Sequence, residues 1–99
     1  MATYNVSKIA TADMAALNPR QMAEAGEVRS FYKEVKSAIA QADKMMAISE
    51  SPDVTYFVWM ESAGRFGGII WKRTGGQPAI HGSMSKEAVQ VKEEQLNLF

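Results

Sequence analysis

Between residues 19 and 48, apolar side chains recur at Val28, Phe31, Val35, Ala38, Ala42 and Met45, in steps of three or four. That spacing draws one stripe along a helix, and Tyr32, Ile39 and Met46 widen it. Arg29, Lys33, Glu34, Lys36, Lys44 and Glu50 fall mostly on the opposite side. The pattern predicts a long amphipathic helix opened by Pro19 in its first turn. Its weak point is Gly26, because a glycine inside a helix costs roughly 1 kcal/mol against alanine. Upstream, residues 5–17 are rich in alanine and place Val6, Ile9, Ala10, Met14 and Leu17 at helical intervals. They predict a short helix capped by Asn5 or Ser7.

The pattern changes after residue 48. The cluster Ser49-Glu50-Ser51-Pro52-Asp53 ends the helix, and residues 54–60, VTYFVWM, are β-branched and aromatic as strands are. Residues 61–68 read as a turn, 69–73 as a second strand, 74–77 as another turn and 78–84 as a third strand. The first of these strands has Val54, Tyr56, Val58 and Met60 on one face and Phe57 and Trp59 on the other. It therefore calls for cover by the long helix on one side and by something more, a partner, on the other. Ser85 followed by Glu87 opens a short final helix over residues 85–94. The expected fold is α+β: a helix-rich N-terminal half whose long helix packs on a three-stranded antiparallel meander, then a short C-terminal helix and a flexible tail. Residues 1–94 make one domain and residues 95–99 the tail.

Composition narrows the chemistry. With 99 residues, 46% hydrophobic and 22% charged, the chain is one globular domain. Eleven basic residues balance eleven acidic ones, so no whole-molecule field draws it to nucleic acid or anionic lipid. The absence of cysteine and the single histidine, His81, remove disulfides, thiolate nucleophiles, iron–sulfur clusters and Cys/His zinc sites. No cofactor is called for. The longest wholly apolar run, residues 56–60, is far short of a membrane span, and the N-terminal stretch lacks the pattern of a leader, so a cytoplasmic location is expected. His81 stands near Ser83 and Ser85 without the spacing of a hydrolytic triad, and the expectation is a non-enzymatic protein. Gly64, Gly67-Gly68 and Gly75-Gly76 are followed by strand-forming residues, the wrong context for a nucleotide loop.

One stretch departs from neutrality. Between Glu61 and Glu87 there is no acid, while Arg65, Lys72, Arg73 and Lys86 give it a formal charge of +4 beside six of the seven glycines. These four residues are the candidates for a weak, salt-sensitive and sequence-blind DNA contact, with Phe66 and Trp71 available for stacking. The plainer reading is that the cations solvate a sheet edge and the tryptophan is core. The seven methionines, Met45-Met46 among them, suit core filling more than an exposed partner surface. The seven-residue spacing of Val28, Val35 and Ala42 also allows two copies to pair as a homodimer.

The sharpest signal is Gln95-Leu96-Asn97-Leu98-Phe99, which follows the acidic pair Glu93-Glu94. Four fixed letters of such types arise at a given register on the order of once in 100,000. The pentapeptide resembles the binding motif of the bacterial DNA sliding clamp, of pattern Gln-Leu-(Ser, Asp or Asn)-Leu-Phe, and matches it at all five positions. Residues 1–94 carry no comparable family signature. The resemblance implies that Leu98 and Phe99 are apolar anchors in a preformed groove, Leu96 fills its lip, Gln95 registers the peptide by hydrogen bonds and Asn97 points to solvent. A terminal peptide can enter another protein's cleft without unfolding its own domain. The expected function is a bacterial or phage accessory protein that docks on the clamp in replication, repair or recombination. The alternative is a small protein-binding inhibitor or antitoxin-like module whose C-terminus is structural.

Overall fold

The structure, a computed structural model, describes residues 2–81. They form β1 (Ala2–Ala10), α1 (Thr11–Met14), α2 (Pro19–Ala25), β2 (Glu27–Tyr32), α3 (Val35–Ile48), β3 (Val54–Ser62), β4 (Arg65–Thr74) and β5 (Ile80–His81). The five strands pair antiparallel in one sheet, in the order β2-β1-β3-β4-β5. The fold is thus mostly sheet with short helices, and not the helix-rich half on a three-stranded meander that the hydrophobic pattern predicts. The meander is present as β3, β4 and β5, but two further strands extend it.

Both extra strands replace expected helix. The segment read as a helix over residues 5–17 is strand β1 as far as Ala10, an interior strand with Asn5, Val6, Ser7 and Ile9 all buried, and is helical only in the single turn of α1. A strand covered on both faces does not alternate, so its apolar positions mimic helical spacing. The long helix over residues 19–48 is in fact α2, β2 and α3. Asn18 caps α2 with a capping box: its Oδ1 accepts from the Gln21 amide at 2.8 Å, and Gln21 Oε1 accepts from the Asn18 amide at 3.0 Å. Gly26 ends that helix in extended conformation, its amide donating to the Met22 carbonyl at 2.8 Å. Any Cβ at Gly26 would lie 2.8 Å from Phe57 Cζ, so the chain crosses the sheet too closely for a side chain.

The three-residue step from Val28 to Phe31, which helped to predict a helix, has a different origin. Phe31 pairs with Asn5 and Val28 with Ser7, two positions on one face of β1, because a β-bulge inserts a residue between them. A bulged strand has reproduced the spacing of a helix face. The second half of the predicted stripe is helical, and α3 buries Ala38, Ala42 and Met46 against the sheet. The two alanines let the helix backbone approach the strands closely.

The sheet separates two apolar clusters. On one face, α3 packs on Val6, Tyr56, Val58, Ile70 and Trp71. On the other, Met22 of α2 joins Ile9, Phe57 and Ile69, with Met14, Leu17, Trp59 and Phe66 packed alongside. The second cover expected from a partner is supplied by the chain's own α1–α2 segment at this cluster. At the β3–β4 connection, strand continues further than the predicted turn over residues 61–68: only Ala63 (φ 53°) and Gly64 (φ 75°) lie between the strands. Two successive positive φ values are those of the two-residue turn that matches strand twist. The predicted third strand over residues 78–84 is β5 at Ile80 and His81 only: Pro78 and Ala79 are outside the strand, and residues 82–84 lie outside the described residues, as do the final helix and the tail. No helix among the described residues is long and apolar enough to cross a membrane.

Candidate functional site

Of the sequence-predicted cations, the three among the described residues, Arg65, Lys72 and Arg73, do not converge. Lys72 and Arg73 are consecutive in β4, so their side chains leave opposite faces of the sheet. Arg73 lies on the α3 face, where its guanidinium donates to Asp43 and, at 3.1 Å, to Glu50. The hydrogen bond to Asp43, with the charge of Glu50 beside it, raises the Arg73 pKa above arginine's ordinary range against a smaller opposing effect of desolvation. The Gly76 amide also donates to Glu50, at 2.7 Å, which ties the β4–β5 turn to the end of α3. Arg73 is therefore a structural clasp between helix and sheet. Lys72 borders an apolar hollow of about 400 Å³ formed with Met14, Leu17, Pro19, Met22 and Ile69. Arg65 is exposed at the β3–β4 turn, seven positions from Lys72 and thus roughly 20 Å along the strand. Lys86 and the pentapeptide Gln95, Leu96, Asn97, Leu98 and Phe99 lie outside the described residues. Of the two aromatics proposed for stacking, Trp71 is sealed in the core and its ring meets His81 edge-on at 6.5 Å, while Phe66 is half-buried.

A different constellation is assembled where α2 faces the β3–β4 hairpin. There a pocket of about 230 Å³ is lined by Trp59, Phe66, Glu61, Arg20 and Glu24. Its floor is aromatic, with the Trp59 and Phe66 ring centroids 6.0 Å apart and their planes tilted by 38°. Two buried polar residues of β1 orient it from below. Ser7, fully buried, accepts from Trp59 Nε1 at 2.9 Å, and Asn5 donates from Nδ2 to Glu61 Oε1 at 3.3 Å. Both bonds follow from register, since Asn5 pairs with Trp59 and Ser7 with Phe57 on adjacent antiparallel strands. Above the floor, α2 presents Arg20 and Glu24, an exposed i,i+4 pair at 3.8 Å.

Sequence reasoning missed this grouping. It read Asn5 and Ser7 as helix caps, Trp59 as strand core and Glu61 as the start of a turn. The available signal was the pair of small polar residues flanking Val6, two apart, as on one face of a strand. Among the described residues no cluster of three or more His, Cys, Asp or Glu is placed to hold a metal ion. Comparisons of the chain with protein-family models, with curated proteins and with solved structures gave no match.

Proposed function

We propose that this chain is an accessory protein that docks on the bacterial DNA sliding clamp through Gln95, Leu96, Asn97, Leu98 and Phe99. The observation that carries the reading is the match of this peptide to the clamp-binding pattern at all five positions. Leu98 and Phe99 supply the buried apolar area on which affinity depends, and Gln95 supplies directional hydrogen bonds that set the register.

The test compares the full chain with one lacking residues 95–99, by denaturant unfolding and by titration onto purified clamp. The shortened chain is expected to keep its unfolding midpoint and lose clamp binding. In the full chain, Leu98→Ala and Phe99→Ala are each expected to weaken binding by about 1–3 kcal/mol. Clamp affinity unchanged by both substitutions overturns the proposal. A shortened chain that loses its cooperative transition, with no clamp binding by the full chain, favours the inhibitor-like module with a structural C-terminus.

A further inference from the structure

We infer that the pocket between α2 and the β3–β4 hairpin receives the guanidinium of an arginine side chain from a partner protein. The inference stands on the described sheet and does not rest on the clamp-docking reading. Four features point to this chemistry.

The floor offers ring faces. Trp59 commits its single donor, Nε1–H, to the buried Ser7 hydroxyl, so what it presents to the pocket is π surface. Phe66 beside it adds a second ring with no polar atom. Such faces attract cations, and a planar guanidinium stacks on them better than a compact ammonium does.

The walls offer carboxylates. Glu61 has Oε1 held by Asn5, which fixes the group and leaves Oε2 for an incoming donor. Glu24 stands on the opposing helix. Against these two negative charges the lining has one positive charge, Arg20, whose side chain is 72% exposed and only loosely paired to Glu24. A fork of N–H donors that stacks and reaches a carboxylate together is the property of arginine. A phosphate would meet two carboxylates instead, which argues against a nucleic acid in this pocket.

The size suits one side chain. About 230 Å³ is below the roughly 300–1,000 Å³ usual for drug-sized ligands and cofactors. The geometry is also set in advance, because the two side chains that orient Trp59 and Glu61 are themselves buried in the sheet. Little ordering then remains to oppose binding.

The experiment is a fluorescence titration of the full chain with N-acetyl-arginine amide, and with its neutral citrulline counterpart. Of the two tryptophans, Trp71 is 1% exposed, so a ligand-induced change reports on Trp59. Arginine amide is expected to give a saturable change and the citrulline compound none. Glu61→Gln should weaken the arginine response by roughly tenfold, the loss of one charge-assisted contact. Glu24→Gln, on an exposed helix position that cannot disturb the core, should weaken it by roughly threefold. An equal response to arginine and citrulline overturns the inference, and so does an arginine affinity unchanged in both variants. Should Glu61→Gln alter the denaturant midpoint, the Glu24→Gln result decides.

Discussion

Gly26 shows how a single position can reverse the sign of a substitution. In a continuous helix, replacing it by alanine would gain roughly 1 kcal/mol. In the structure the added methyl would meet Phe57 Cζ at 2.8 Å and the Met22 carbonyl at 3.0 Å, and Phe57 is fully buried and cannot retreat. Gly26→Ala is therefore expected to destabilise by about 1–3 kcal/mol in urea unfolding, the usual range for overpacking. Ala63 presents the opposite case. Its φ of 53° is a left-handed conformation in which a Cβ is strained, so Ala63→Gly should stabilise by about 1 kcal/mol. Asn5 and Ser7 carry the same lesson for the candidate site. Their roles depend on Glu61 and Trp59, more than fifty positions away in sequence, and local pattern reads only the polar character and not the partner.

Legibility differed by element for physical reasons. The strands β3 and β4 stand out because their β-branched and aromatic content is dense and glycine-bearing turns bound them. The inward stripe of α3 from Val35 to Met46 was also readable, as a one-sided helix on a sheet should be. The strands β1 and β2 were not. Burial of β1 on both faces erased its alternation, and the bulge in β2 gave Val28 and Phe31 a three-residue step on one face. Each loses the period of two by which strands are recognised. The clasp from β4 to α3 yields a prediction at this scale. Arg73→Ala should lower the unfolding midpoint, while Arg65→Ala, exposed at a turn, should leave it nearly unchanged. The Arg73 pKa is raised in the folded state, so its contribution is present below arginine's ordinary range and lost only as pH climbs through the folded value. The difference between the wild-type and Arg73→Ala midpoints is thus expected to stay constant from neutrality to about pH 10.

At the scale of the whole molecule, formal neutrality conceals a sorted arrangement of charge. Among the described residues Arg65, Lys72 and Arg73 do not make one basic face, because β4 sends Lys72 and Arg73 to opposite sides and Asp43 and Glu50 neutralise the latter. The aromatic and acidic pocket on the other side arises from three elements that no linear window contains. Strand order has a last consequence, for synthesis. Because β1 lies between β2 and β3, it leaves the ribosome before both of its neighbours, and one of them ends only at Ser62. Until that point emerges, Val6 and Ile9 have an open flank, and the nascent chain carries an unsatisfied edge while the residues between β1 and the end of β3 are made. Translation arrested before β3 should accordingly yield a species bound by holdase chaperones, whereas the full chain released from the ribosome should not be bound.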